Sequence, residues 1–147
     1  MRILIVDDHP IFRDGLRRIL EDYGHNVVAE CDDGRHVSEC VRANHPDLIL
    51  MDLQMPVQDG IATVRALKGK PPTVMLTVSE DDDDMRAAMD AGASGYLLKS
   101  TEPAELVHML ESVAGGYRIY PTRMHEAGDT ASGLSPRQQS VLNGLTR

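Results

Sequence analysis

The sequence predicts an α/β fold: a doubly wound, five-stranded parallel sheet with helices on both faces. Three observations carry that expectation. Five short aliphatic runs recur between residues 2 and 99, each is followed by a longer segment with a single apolar face, and Gly or Pro closes each of those segments. Strands apolar on both sides need cover on both sides, which helices on either face of a parallel sheet provide. Strict alternation of the two patterns implies right-handed crossovers.

The elements follow in order. "RILIV" (residues 2–6) is the first strand and ends in Asp7-Asp8; Phe12, Leu16, Ile19 and Leu20 then keep one helical face, closed by Gly24. "NVVAEC" (26–31) is the second strand, and Val37, Cys40 and Val41 form the next stripe, stopped near Pro46. "DLILMD" (47–52) is the third, followed by Ile61, Val64 and Leu67 up to Gly69 and Pro71-Pro72. "TVMLTV" (73–78) is the fourth, with Met85, Ala88 and Met89 closed by Gly92. "GYLLK" (95–99) is the fifth, and the last stripe runs from about Glu102 through Leu106, Met109, Leu110 and Val113 to Gly115-Gly116. The acidic run Asp81–Asp84 is expected to open the fourth helix, where carboxylates offset the helix dipole. Met85, Met89 and Met109 read as core.

After Tyr120 the texture changes. Residues 121–133, "PTRMHEAGDTASG", are small and polar and read as a linker. In "LSPRQQSVLNGLTR" (134–147), Ser135, Pro136 and Gln138 have the pattern of a capped helix start. Leu134, Val141, Leu142 and Leu145 would share one face, too short to be stable alone.

Composition narrows the function classes. The 147 residues suffice for one domain plus a short extra piece. With 41% hydrophobic but only 3% aromatic residues and no Trp, the core must be aliphatic. A net charge of -8 argues against this chain gripping a nucleic-acid backbone unaided. Cys31 and Cys40 have a spacing that suggests neither a zinc site nor a redox pair, so free thiols in a reducing cytosol are expected. The first apolar run is too short for a signal peptide, and no stretch is long enough to span a membrane. A cytoplasmic protein without a membrane partner is the expectation.

The chemistry lies at the strand ends. In a doubly wound sheet, ligands bind beyond the carboxyl ends of the strands, where strand order reverses. Asp7 and Asp8 end the first strand and Asp52 the third, so three carboxylates should converge and repel one another without a cation. An all-oxygen set with few protein contacts suits Mg²⁺. Thr77 ends the fourth strand with a hydroxyl, and Lys99 ends the fifth with a mobile ammonium. A nucleophilic carboxylate (Asp52), a divalent cation, a hydroxyl and a lysine make a phosphoryl-transfer site. Met55-Pro56 would turn the chain away and leave access. Taken singly, each residue has a plainer role: an acid at a strand end as a cap, Thr77 as a β-former, Lys99 as surface charge. Their joint occurrence on four strands is the signal.

"ILIVDDHPIFRDGL", "PDLILMDLQMPVQDGI", "TVMLTVSE" and "GASGYLLKS" resemble the receiver domain of bacterial two-component response regulators. "DDHP" and "LSPR" resemble the NarL/FixJ branch, whose members carry a LuxR-like helix-turn-helix. The resemblance implies a flavodoxin-like, CheY-like receiver over residues 1–120, and in 134–147 the truncated start of a DNA-binding domain. It implies Asp52 as phospho-acceptor from a sensor histidine kinase. Asp8 would bind Mg²⁺ directly, Asp7 largely through water, and the backbone carbonyl of Gln54 would complete the set. Lys99 and Thr77 would hold phosphoryl oxygens, and Tyr96 would be the aromatic switch that turns inward when Thr77 moves. Output would be homodimerisation and DNA binding through the full-length effector domain, not through this fragment. Catalysis would be limited to self-phosphorylation from small donors and autodephosphorylation.

Two departures stand out. Val78 follows Thr77 where the family usually has a smaller residue, which predicts slower labelling by small phosphodonors. Ser100 follows Lys99 in place of a common Pro, so that peptide need not be cis. His9 follows the acidic pair and could influence it, but a helix-start role is the main expectation, and the other histidines suggest no metal centre. Two competing functions are a Mg²⁺-dependent aspartyl-phosphate phosphotransferase and a stand-alone receiver. The first would call for an acid two residues after the nucleophile, where Gln54 stands; the second has no use for a second capped helix.

Overall fold

The computed structural model describes residues 1–55 and 59–120. The expected linker (121–133), the expected helix fragment (134–147) and the turn at Pro56 lie outside the described residues. In chain order the elements are β1 (Arg2–Val6), α1 (Pro10–Asp22), β2 (Asn26–Cys31), α2 (Val37–Asn44), β3 (Leu48–Met51), α3 (Gly60–Leu67), β4 (Thr73–Thr77), α4 (Asp82–Ala91), β5 (Gly95–Leu98) and α5 (Pro103–Ala114). A short 3₁₀ turn, Gly34–His36, precedes α2.

The sheet is parallel throughout, with strand order β2-β1-β3-β4-β5. The chain leaves β1 to build β2 on one side, then crosses back to build β3 on the other. That reversal opens a crevice between the carboxyl ends of β1 and β3. Val6 pairs with Met51, so Asp7 and Asp52 are the next residues in register.

Strands three to five each stop one residue earlier than expected, leaving Asp52, Val78 and Lys99 just beyond the ladder. Asp52 N–H still donates to Val6 O (2.8 Å), and Lys99 N–H to Thr77 O (2.7 Å). The acceptor strands themselves end there, so nothing continues the pairing. The functional side chains therefore leave the sheet at its rim, fixed through their own amides.

Alternation along the strands divides the core in two. Leu4, Val6, Ile49, Met51, Met75 and Tyr96 face Val37, Val64, Met85 and Met89 on one side. Ile3, Ile5, Leu48, Leu50, Val74 and Leu97 face Leu16, Leu20, Leu106 and Leu110 on the other. Each such side chain contributes about 1.5–3 kcal/mol by leaving water. Met55 is buried in the first of these clusters.

Helix ends follow local chemistry. Asp59 caps α3 by accepting from Ala62 N (2.8 Å), and Asp81 caps α4 by accepting from Asp83 N (2.8 Å). The acidic run thus opens α4 as expected. The peptide between Lys99 and Ser100 is trans. Beyond α5 the chain returns to the outer edge of β5: Tyr96 N donates to Ile119 O and Ile119 N to Ser94 O, both at 2.9 Å. Arg118 meanwhile donates to the carbonyls of Met89 and Ala93 at the end of α4. An otherwise open edge is covered. Among the described residues no helix is long and apolar enough to cross a membrane.

Candidate functional site

Three carboxylates meet at the rim, as their strand positions require. One ligand atom from each of Asp7, Asp8, His9 and Asp52 lies within 4.8 Å of all the others. Asp7 and Asp52 are buried, at 3% and 5% exposure, whereas Asp8 is half-buried. Asp7 is held from three directions. Its N–H donates to Cys31 O (3.0 Å), its carbonyl accepts from Arg13 Nη1, and its Oδ1 accepts the His9 N–H (2.8 Å).

Burial pushes the Asp52 carboxyl above its ordinary pKa; Lys99 opposes that shift, and the neighbouring Asp7 charge adds to it. Among the described residues, Asp8 Oδ1 is buried without a hydrogen-bond partner. His9 Nδ1 comes within 3.1 Å of it, but that nitrogen's hydrogen bond goes to Asp7 Oδ1 at 3.0 Å. An unsatisfied buried oxygen beside two more acids is a donor set suited to a hard divalent cation.

Lys99 reaches the acids from the end of β5. Its side chain is 12% exposed, with Nζ 2.8 Å from Asp7 Oδ2, 3.7 Å from Asp52 Oδ2 and 4.4 Å from the Phe12 ring centroid. The nearer carboxylate and the aromatic face hold it in place. Thr77 is buried, and its Oγ1 accepts from Ser79 N (3.1 Å). Gln54 reaches Asp52 Oδ1 through its own N–H at 3.4 Å.

Tyr96 is already fully buried, its hydroxyl donating to Ser79 O at 3.1 Å. An outward ring awaiting a signal is therefore not what this structure contains. The flanking core accepts the ring, and the Ser79 carbonyl satisfies its hydroxyl.

Two further residues shape the site: His9, whose influence on the acids the sequence suggested, and Gly60, which it did not. His9 does start α1, as its N-cap, but its imidazole also enters the acidic cluster. Its position directly after two acids is the signal for that second role. Gly60 opens α3 against the Asp52 loop: a Cβ there would stand 2.4 Å from Asp52 O and 2.6 Å from the Met75 terminal methyl. The Asp-Gly step ahead of a helical stripe could have suggested it. Cys31 and Cys40 are free thiols, as expected, but their sulfurs lie 2.6 Å apart, since the turn after β2 folds α2 back over the strand end.

The response regulator receiver domain model matches residues 3–111. The nitrate/nitrite response regulator protein NarP of Escherichia coli is 36% identical over 99% of this chain and 74% of its own length. The transcriptional regulatory protein DegU of Brevibacillus brevis is 38% identical over 85% of this chain and 55% of its own. The chain therefore spans between half and three quarters of these relatives. A LuxR-family two-component response regulator from Aurantimonas sp. SI85-9A1 superposes with a TM-score of 0.79 at 38% identity, covering 84% of this chain and 91% of that one. The receiver domain of NarL from Mycobacterium tuberculosis gives 0.74 at 34% identity, covering 78% of this chain and 96% of that one.

Proposed function

The chain belongs to the response regulator receiver domain family, and from that premise we propose that Asp52 accepts a phosphoryl group from a sensor histidine kinase. Receivers of this family are signalling proteins rather than classical enzymes, so the product is a changed surface. The observation that carries the proposal is the convergence of Asp7, Asp8 and Asp52 beside Lys99. Mg²⁺ is the expected cofactor. Asp8 and Asp52 would hold it directly, Asp7 largely through water, with the Gln54 carbonyl completing the set. Bound there, it supplies positive charge that offsets the carboxylates and the phosphoryl oxygens.

The protein residues divide the remaining work. An Asp52 carboxylate oxygen attacks phosphorus as the bond from phosphorus to the kinase histidine breaks, leaving an aspartyl phosphate. Lys99 Nζ, already between Asp7 and Asp52, pairs with one phosphoryl oxygen. Thr77 Oγ1 turns to another and gives up the Ser79 N–H.

Ser79 then carries the change outward. Its N–H bonds Thr77, its carbonyl bonds Tyr96, and its Oγ donates to Asp84 Oδ2 on α4 at 2.6 Å. Pulling Thr77 toward phosphate disturbs all three contacts, which biases the α4–β5 surface between two arrangements. In the full-length protein this would drive homodimerisation and DNA binding by a LuxR-type domain beginning near residue 134, after a linker at 121–133. NarP and DegU are a response regulator and a transcriptional regulatory protein by name, which supports that reading.

Intact-mass measurement after incubation with acetyl phosphate and Mg²⁺ tests the site. The wild type is expected to gain one phosphate and Asp52→Ala none. A gain that persists in the variant would move the acceptor elsewhere.

A further inference from the structure

We propose that Cys31 and Cys40 are a covalent modification site, closing into a reversible intramolecular disulfide when a hydroperoxide reaches them. The proposal does not depend on the phosphorylation reading. Cys31 is the last residue of β2, Cys40 lies one turn into α2, and their sulfurs touch at 2.6 Å. Two thiols that merely fill core space need no such contact.

The intervening chain is pre-set for closure. Asp33 Oδ1 accepts the Arg35 N–H (2.7 Å) and caps the 3₁₀ turn that sends the chain back along the strand. Little chain entropy remains to be lost when the ring closes.

The thiols differ in a way that orders the chemistry. Cys31 is 6% exposed, and burial raises its pKa far above the ordinary thiol value, with the Cys40 contact adding to the shift. Cys40 is half-buried and borders a cleft of about 300 Å³, into which Arg13 and His36 also face. An oxidant in that cleft, which Glu30 and Asp32 also line, meets the half-buried Cys40 before the buried Cys31.

The Cys40 thiolate attacks one peroxide oxygen and the O–O bond breaks. This gives Cys40 sulfenic acid and, for hydrogen peroxide, hydroxide that leaves as water with the Cys40 proton. Cys31 sulfur then attacks Cys40 sulfur and expels hydroxide, which takes the Cys31 proton and leaves as a second water. Two thiols and one peroxide become one disulfide and two waters. A cytosolic thiol pool reverses it, as expected of a sensing rather than a structural bond. The site lies one hydrogen bond from the acidic cluster, because the Cys31 carbonyl accepts the Asp7 N–H.

The test uses the whole chain, reduced and then treated with hydrogen peroxide. Trypsin cuts after Arg18, Arg35 and Arg42, which puts the two cysteines on separate peptides, 19–35 and 36–42. The expected result is loss of the mass of two hydrogens, disappearance of alkylation at both residues, a cross-linked 19–35/36–42 peptide, and full recovery with dithiothreitol. In Cys40→Ser, Cys31 should stay alkylatable after unfolding. In Cys31→Ser, Cys40 should still be oxidised, but to sulfenic acid and beyond. Cys31 is buried, so the Cys40→Ser and wild-type arms carry the test if Cys31→Ser folds poorly. Oxygen addition to Cys40 without a cross-link in the wild type, or cross-links only between molecules, would overturn the proposal.

Discussion

Two carboxylates on the strands that flank β1 meet opposite electrostatic fates. Glu30, on β2, faces solvent-flanked arginines: Arg13 Nε lies 3.0 Å from its Oε1, and Arg17 Nε donates to its Oε2 at 2.7 Å. Burial pushes the Glu30 carboxyl up, but the two guanidinium contacts outweigh it and hold the carboxyl below its ordinary value. Asp52, at the end of β3, sits beside two more acids and shares one lysine with Asp7, and its carboxyl is held above the ordinary value. Arg13 bridges the regions by also bonding the Asp7 carbonyl. The flank spends its cations on stability. The rim withholds them and keeps an electrostatic deficit that a metal and a phosphoryl group can fill.

That contrast can be broken in graded steps. Asp8→Asn removes the negative charge and replaces one carboxylate oxygen by an amide nitrogen, and Mg²⁺-dependent labelling of Asp52 should fall by at least about 100-fold, the upper end of what losing even an outer-shell metal partner costs. Intact-mass time courses at several Mg²⁺ concentrations measure it. Lys99→Ala takes away the one cation the rim possesses among the described residues and strands two buried acids. The expected loss is about 3 kcal/mol in Mg²⁺-free buffer, read by urea denaturation, with much of it restored by Mg²⁺.

Glu30→Gln acts on the flank and should cost about 1 kcal/mol at neutral pH. The folded-state pKa of Glu30 is depressed, so its stabilisation is present above the unfolded value and is lost as pH falls through the folded one. Wild type and variant should therefore converge in acid; a constant difference down to low pH would mean that the ion pairs contribute nothing. Val78→Ala should have the smallest effect. Val78 is 74% exposed, just beyond β4, and trimming it is expected to raise acetyl-phosphate labelling modestly without altering stability. Equal rates would show that the residue does not gate the site.

Much of this contrast was legible in the chain, and the rest was not for a physical reason. Strand runs such as "LILM" and the acids after them follow from two-sided burial and from the period of a parallel sheet, both local properties. The convergence of Asp7 with Asp52 followed from topology alone, since β1 and β3 must flank the switch point. Distances set by side-chain packing were not readable. Lys99 settled on Asp7 and Phe12, Tyr96 went inward onto Ser79, and His9 turned its ring into the acids. The Cys31–Cys40 contact depends on how the Asp33-capped turn folds, which residue spacing alone does not specify.

Thermal unfolding of wild type and Asp52→Asn, with and without Mg²⁺, probes the rim most directly. The raised folded-state pKa means that ionised Asp52 costs stability at neutral pH, and that this cost vanishes as the group protonates in acid. Without Mg²⁺ the variant should melt higher than wild type. With saturating Mg²⁺ the wild type should rise more, closing or reversing the gap. Identical melting temperatures in metal-free buffer at neutral pH, or equal Mg²⁺ responses in both proteins, would contradict an electrostatic deficit held open for a cation.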